Sequence, residues 1–366
     1  MLTCAPLTSV TIWLQSGQVR PVSTLFLLIV CAAAGCAQAP VVQPLTLDLD
    51  GLKLRPGAFL DLIGLTRTAT TPDTINTHFG AIPLTETPDE SLWSPRHSRL
   101  WLRGDRAAGP VALTFYLESD FLNPNAGQSP YRWRQYWGAV RWRKWELSAG
   151  REWNLLRPNR VGVQSDTGTM NTLVPEPAYH VGLDGTRDRQ VRLTRNFGDY
   201  NAVFAWQTNG LFLARVAADK KFGHVELDSI VAGHHGQRGL SAAAFLKITE
   251  RLRYETQLYW SRRAAYQALG VVPANLDGGN MLQGFEYFFT PRFDVYTYAG
   301  WAYAERSAGN RVVREYTAGG DYRIPVSSVR GTVLFSLEFS RLDRALWTGQ
   351  SGVMSYAMYR FRYTFN

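Results

Sequence analysis

The chain has 366 residues, a formal net charge of +9, 12 Trp and a mean hydropathy of −0.19. Its basic residues are scattered singly along alternating segments, with no basic run and no nucleic-acid motif, so nucleic acid is set aside as a partner. Cys4, Cys31 and Cys36 all fall in the first 37 residues, so the rest of the chain has no disulfide, thiolate metal site or cysteine nucleophile. No later apolar run is long enough for a helical membrane span, which leaves a secreted all-β protein or a transmembrane β-barrel.

Arg20 precedes the apolar run Leu25-Phe-Leu-Leu-Ile-Val-Cys-Ala-Ala-Ala-Gly-Cys-Ala-Gln-Ala39, whose length and small-residue end read as a secretory signal peptide. Cleavage after Ala37 is preferred, because cleavage after Ala39 puts Pro40 first in the mature chain. A lipoprotein reading through Cys36 is the alternative and lacks the usual Leu at the first lipobox position. The expected division is a signal peptide over 1–37, a periplasmic lead-in over 38–55 and a barrel over 56–366.

After the lead-in, Ala58 to Thr68 alternates, with Leu60 and Leu62 on one face and Asp61 on the other. The Pro-, Thr- and Asp-rich stretch from Ala69 to Arg96 reads as a polar surface loop. Ser98 to Asp105 sets Leu100 and Leu102 against Arg99, Trp101 and Arg103. The next strand sets Val111, Leu113, Phe115 and Leu117 against Thr114, Tyr116, Glu118 and Asp120, so the two form a hairpin with one charged wall. The same reading places strands near 131–142, 145–153, 185–195, 199–207, 211–219, 222–232, 239–248, 252–262, 280–289, 293–304, 312–323, 328–339 and 352–364. The last sets Val353, Ala357, Tyr359, Phe361, Tyr363 and Phe365 against Arg360, Arg362 and Thr364. An aromatic near the C-terminus, here followed by Asn366, suits recognition of this strand by the barrel-assembly machinery.

The total is sixteen, an even number. With both ends on one side, the odd connections are mostly long (69–96, 122–130, 154–184, 263–279, 305–311, 340–351) and the even ones short, a loop asymmetry that a soluble sandwich does not predict. The fold expected is therefore an all-β, antiparallel up-and-down transmembrane barrel enclosing an aqueous lumen. Its longest internal connection, Asn154 to Asp184, follows the fifth strand and is expected to fold inward as a constriction, carrying Arg157, Arg160, Asp166 and Glu176. An ordinary outer loop is the alternative.

An arginine facing lipid at mid-depth costs about 2 to 4 kcal/mol, so the arginines of the alternating strands belong inside. The candidate pore-lining set is Arg99, Arg103, Glu118, Asp120, Arg132, Arg134, Arg192, Lys247 and Arg253. Further charges on the same faces include Asp61, Arg215, Glu226, Asp228, Glu255, Glu286, Glu315, Arg330, Glu338, Arg360 and Arg362. Several arginines opposed by a few carboxylates would favour anions. Chemistry elsewhere is weak: His234-His235 has no carboxylate at ligand spacing, Gly349-Gln-Ser-Gly352 lacks a nucleophile elbow, and Glu286 with Glu315 would serve as acid and base only if they met. No cofactor, metal or catalytic residue is expected. A non-conducting adhesive barrel and an outer-membrane enzyme are the rival classes to a channel.

Gly57-Ala-Phe-Leu-Asp-Leu-Ile, Phe79-Gly-Ala-Ile-Pro83, Ser98-Arg-Leu, Gly109-Pro-Val, Tyr116-Leu-Glu-Ser-Asp-Phe121, Arg132-Trp-Arg-Gln-Tyr-Trp-Gly138 and Ala149-Gly-Arg-Glu-Trp153 together resemble the DcaP-like family of trimeric outer-membrane porins. The likeness covers roughly residues 55 to 165 closely and the rest in architecture. It implies a sixteen-stranded barrel in outer-membrane lipid, a homotrimer, and passage of small anionic solutes such as carboxylates. The chain departs from the family in a lead-in too short for the N-terminal helical extension of some members, and in a strand made more aromatic by Trp137 and Trp142.

Overall fold

The computed structural model describes residues 45–365 apart from 72–74, 76, 123–129, 158–179, 183–185, 234–235, 265–270, 272–275 and 327–330. The strands are β1 (Leu47–Leu49), β2 (Leu52–Arg67), β3 (Glu90–Ser94), β4 (Arg99–Ala108), β5 (Val111–Asp120), β6 (Arg132–Trp142), β7 (Trp145–Trp153), β8 (Arg187–Asn196) and β9 (Tyr200–Gln207). They continue as β10 (Phe212–Lys220), β11 (Gly223–Ala232), β12 (Arg238–Lys247), β13 (Leu252–Arg262), β14 (Gly278–Thr290), β15 (Phe293–Ala304), β16 (Asn310–Val326), β17 (Gly331–Leu346) and β18 (Ser351–Phe365). All belong to one antiparallel sheet whose order returns on itself. Sixteen of them, β2 and β4 to β18, form the closed wall. Closure is made by β18 against β2, in register from Phe365↔Ala58 to Tyr356↔Arg67.

Alternation decides what each strand shows to each side. On β5, Tyr116, Glu118 and Asp120 are buried inside, while Leu113 faces out. Leu60, Phe204, Val216, Leu227 and Phe339 are likewise exposed on the outer face. Charge inside and apolar surface outside is the inverse of a soluble protein and fits a wall set in lipid, the arrangement of a transmembrane barrel. Trp93, Trp133, Trp206 and Trp260 stand out near the rim that carries the long loops. Trp142, Phe197, Tyr200 and Phe222 do so near the rim of short turns, giving two aromatic girdles.

Three segments differ from the sequence reading. Strand pairing starts earlier, at Leu52, because β4 runs on to Ala108 and supplies partners as far as Leu52↔Arg106; β1 then folds back on β2 through Asp50 and Gly51, both at positive φ. The 340–351 connection shrinks to a turn over 347–350, because β17 and β18 stay paired up to Ala345↔Ser351. Arg341 and Asp343, expected in that connection, lie in the strand and pair with each other at 3.5 Å.

The third is the stretch read as a polar surface loop. Glu90–Ser94 pairs with β2 from Ile63↔Ser94 to Arg67↔Glu90, continuing the rail that β4 follows lower down. Ahead of it, Ile75, Phe79 and Ile82 are buried against Ile63, Leu65, Ala302, Val313, Leu342 and Met354. Those partners sit on the inner faces of β2 and β15 to β18, so near the long-loop rim the barrel interior is apolar and receives this segment as an inward plug. Arg344 donates to the Ile82 carbonyl at 2.6 Å and to Asn310 Oδ1 at 2.7 Å, which satisfies polar groups the plug would otherwise strand.

Candidate functional site in the barrel interior

One sector of the interior is built by β2, β4, β5, β6 and β18. The register shift between Glu118↔Gln135 and Ser119↔Trp133 leaves Arg134 as an extra residue, so Arg132, Arg134 and Gln135 all reach the inner face while Trp133 points out. Arg134 then bridges Glu118 at 2.7 Å and Asp120 at 2.6 Å, with Arg132 on Asp120 at 2.7 Å and Arg99 on Glu118 at 3.6 Å. Asp61 holds Arg360 at 3.2 Å and Arg362 at 2.7 Å, tying the first wall strand to the last. Five arginines meet three carboxylates here.

The described ends of the connection after β7 lie inside the barrel. At its start, Leu155 and Leu156 are buried against Val203, Leu211, Leu213 and Ile230. Arg215, paired with Asp228 at 2.5 Å and Glu226 at 3.2 Å, donates to the carbonyls of Leu155 and Arg157. Arg192 pairs with Glu152 at 3.1 Å beside it. At the other end, His180, Val181 and Gly182 lie against β14 to β17. The Val181 N–H donates to Glu315 at 2.8 Å, His180 Nδ1 lies 3.2 Å from Glu315, and the ring also meets the Tyr298 hydroxyl. Burial, reinforced by the Arg360 guanidinium, pushes His180 down to about 3, so its ring is neutral. Two backbone approaches leave no room for a side chain: a β-carbon on Gly300 would fall 1.8 Å from the Val181 carbonyl oxygen, and one on Gly182 2.1 Å from that of Met281. The described ends of the loop are thus anchored on different sectors of the inner wall.

Of the residues expected from sequence, Arg99, Glu118, Asp120, Arg134, Arg157 and Arg192 are buried in these clusters. Arg103 does not join Arg99; it binds Asp105 at 3.0 Å lower on β4, because four residues along a strand separate them on the same face. Lys247 follows the inner face at the very end of β12, opposite Arg253, and pairs with Glu250 at 2.9 Å at the rim. Glu286 and Glu315 belong to different clusters and do not meet. Arg160, Asp166, Glu176, Arg330 and His234-His235 lie outside the described residues. Arg55, Arg141, Arg323 and His180 were missed: Arg55 and Arg323 fell at or beyond assigned strand edges, and His180 gains its neighbours only through the fold.

One asymmetry recurs in these pairs. Arg132 is 27% exposed and Asp120 0%; Arg323 29% and Asp294 0%; Arg253 42% and Glu286 1%; Arg141 44% and Glu146 9%. Arg55, at 40%, similarly covers Asp105. Each carboxylate is drawn to the wall and the longer guanidinium lies over it. Apart from Arg132, these arginines stand close to the short-turn rim.

No family model matches the chain, and no curated protein matches it in sequence. Solved structures match it in fold. The outer membrane channel DcaP of Acinetobacter baumannii superposes with a TM-score of 0.69 at 13% identity, over 87% of this chain and 99% of that one. OmpF of Salmonella typhi, in complex with Daunomycin, gives 0.57 at 11% over 88% and 100%. In-vitro folded OmpT of Vibrio cholerae, in its trimer form, gives 0.56 at 10% over 86% and 100%. The likeness that Gly57 to Trp153 suggested is therefore present in the whole architecture, and the chain has the fold of the DcaP channel: a multi-pass, sixteen-stranded β-barrel of the outer-membrane type.

Proposed function

We propose that this barrel is a passive outer-membrane channel for small hydrophilic solutes, with a preference for anions such as carboxylates. The supporting observation is the exposure asymmetry of the interior ion pairs, in which guanidinium groups meet the solvent and carboxylates do not. On the inner wall near the short-turn rim, taken as periplasmic, a passing solute meets Arg55, Arg141, Arg253 and Arg323, each more exposed than the carboxylate it covers. Their field is strongest where the wall excludes water. This moves selectivity away from Arg99 and Arg134, whose charges are spent on Glu118 and Asp120.

Planar-bilayer recording in a salt gradient tests the reading. The protein should give stepwise conductance with an anion-selective reversal potential, and Arg141→Glu with Arg253→Glu and Arg323→Glu should move that potential toward cations. Arg306→Glu, in an outer loop, should move it little at 1 M salt, where screening acts within about 3 Å. Absence of stepwise conductance ends the channel reading; conductance with an unmoved potential in the triple variant ends the arginine-mouth reading. A homotrimer is proposed from the fold shared with a trimeric OmpT and from apolar outer faces such as Phe285, Tyr287 and Phe289. Native mass spectrometry should give three times the chain mass, and a monomer mass would count against it. The 1–37 leader and docking of β18 on the assembly machinery complete the proposal.

A further inference from the structure

The outer wall near the long-loop rim carries a pair of charges that the channel reading does not use. Arg151 on β7 and Arg189 on β8 are direct cross-strand partners. Alternation puts both on the outer face, in line with Leu147, Val191 and Leu193, which are exposed to lipid. Like charges directly opposite each other destabilise a sheet, and a lipid-facing wall makes the repulsion worse.

Their hydrogen bonds go to neutral groups. Arg151 donates to the Trp133 and Arg187 carbonyls, each at 3.4 Å, and Arg189 to the Tyr136 hydroxyl at 3.3 Å. These bonds aim the guanidinium groups without balancing their charge. Among the described residues neither forms an ion pair with a carboxylate. Asp188 is within electrostatic reach of Arg151, but it follows the inner face and accepts from the Thr186 hydroxyl. At the opposite rim, outward Arg195 lies over the rings of Trp145 and Phe197, whereas Arg151 and Arg189 stack on no ring among the described residues. Their height is informative too. Val191, two residues along β8, pairs with Trp206, so the two arginines sit just beyond the tryptophan girdle, where headgroups begin.

We propose that Arg151 and Arg189, with the Tyr136 hydroxyl, seat a phosphate of an outer-leaflet lipid headgroup on the outside of the barrel. Two planar guanidinium forks converging from adjacent strands match the geometry of one phosphate, and its acyl chains would lie over Leu147, Val191 and Leu193. The proposal rests on the outer-membrane placement but not on conduction.

The test uses the purified full-length protein, checked for folding by its heat-modifiable gel mobility, with diphosphoryl lipid A as probe. Binding is read by native mass spectrometry and by the rise in unfolding temperature. The protein should bind it, and Arg151→Gln with Arg189→Gln should weaken binding about 30-fold, about fivefold for each arginine. Arg143→Gln with Arg195→Gln, at the other rim, should leave binding intact, and single-channel conductance should be unchanged in both double variants. Equal affinity in the Arg151 and Arg189 variant, or equal loss in the two double variants, would overturn the site. Equal protection by inorganic phosphate would reassign it to a free anion. A variant that changes assembly mass while keeping lipid affinity would reassign it to a contact with a second copy, and either result overturns the lipid assignment.

Discussion

Glu118 accepts one arginine from each side, Arg99 and Arg134, and Asp120 accepts Arg132 and Arg134, so five residues read separately on strands act as one unit. Removing one partner of such a unit leaves charge stranded, whereas replacing the whole unit would cost less. The glycine at 300 is equally specific. Its missing side chain lets the Val181 carbonyl press against β15, and through Val181 and His180 the loop reaches Glu315. Gly300→Ala should therefore displace the returning limb of the loop and change single-channel conductance. Gly138→Ala, where a β-carbon would have its nearest contact at 3.7 Å, should not. Identical conductance in the two variants would show that the limb does not narrow the path. The charged face of each strand was readable in advance from period two, because a strand has only two faces. Which arginine would stay exposed was not, since that depends on whether a partner carboxylate lies beneath it.

The segment from Ala69 to Pro88 is the clearest case where composition and structure part. Its Pro, Thr and Asp residues look like surface, yet Phe79 and Ile82 are buried, and the barrel interior supplies an apolar seat for them. Losing the Phe79 ring should cost the docked segment about 3 kcal/mol. If it opens and closes faster than a protease cuts, Phe79→Ala should raise its cleavage rate about 100-fold, while Phe289→Ala, on the outer wall, should leave it unchanged. Equal cleavage in both variants would mean the plug is held by Arg344 and Asn310 rather than by its ring. Strand bodies agreed closely with the alternation, and β5, β7, β13 and β15 have the limits read from sequence. Strand ends moved where pairing outlasted the hydrophobic pattern, as at β17, because backbone hydrogen bonds continue beyond the lipid-facing band.

Barrel closure depends on one seam, and Asp61 is its only interior carboxylate among the described residues of β2 and β18. It neutralises Arg360 and Arg362, which are 3% and 7% exposed. Asp61→Asn would remove the carboxylate that two nearly buried guanidinium groups share, at a cost of about 3 to 5 kcal/mol. The temperature at which the folded band converts to the unfolded band on a gel should fall accordingly. Phe361→Ala, on the lipid face of the same seam, should lower it less. A fall no greater for Asp61→Asn would show that backbone pairing from Ala58 to Arg67 closes the barrel unaided.

Alternation over sixteen segments, with long and short connections in turn, was enough to specify a lipid-facing barrel, because a strand that is apolar on one side and charged on the other needs both a membrane and an aqueous interior. The position of the long connection after the fifth wall strand was equally visible. Only the closed structure could decide what the interior charges do. Asp61 meets Arg362 across 301 residues of sequence, and His180 meets Glu315 across 135. Pairings of that separation follow from the circumference of the barrel and from where the loop returns to the wall. No local spacing records either.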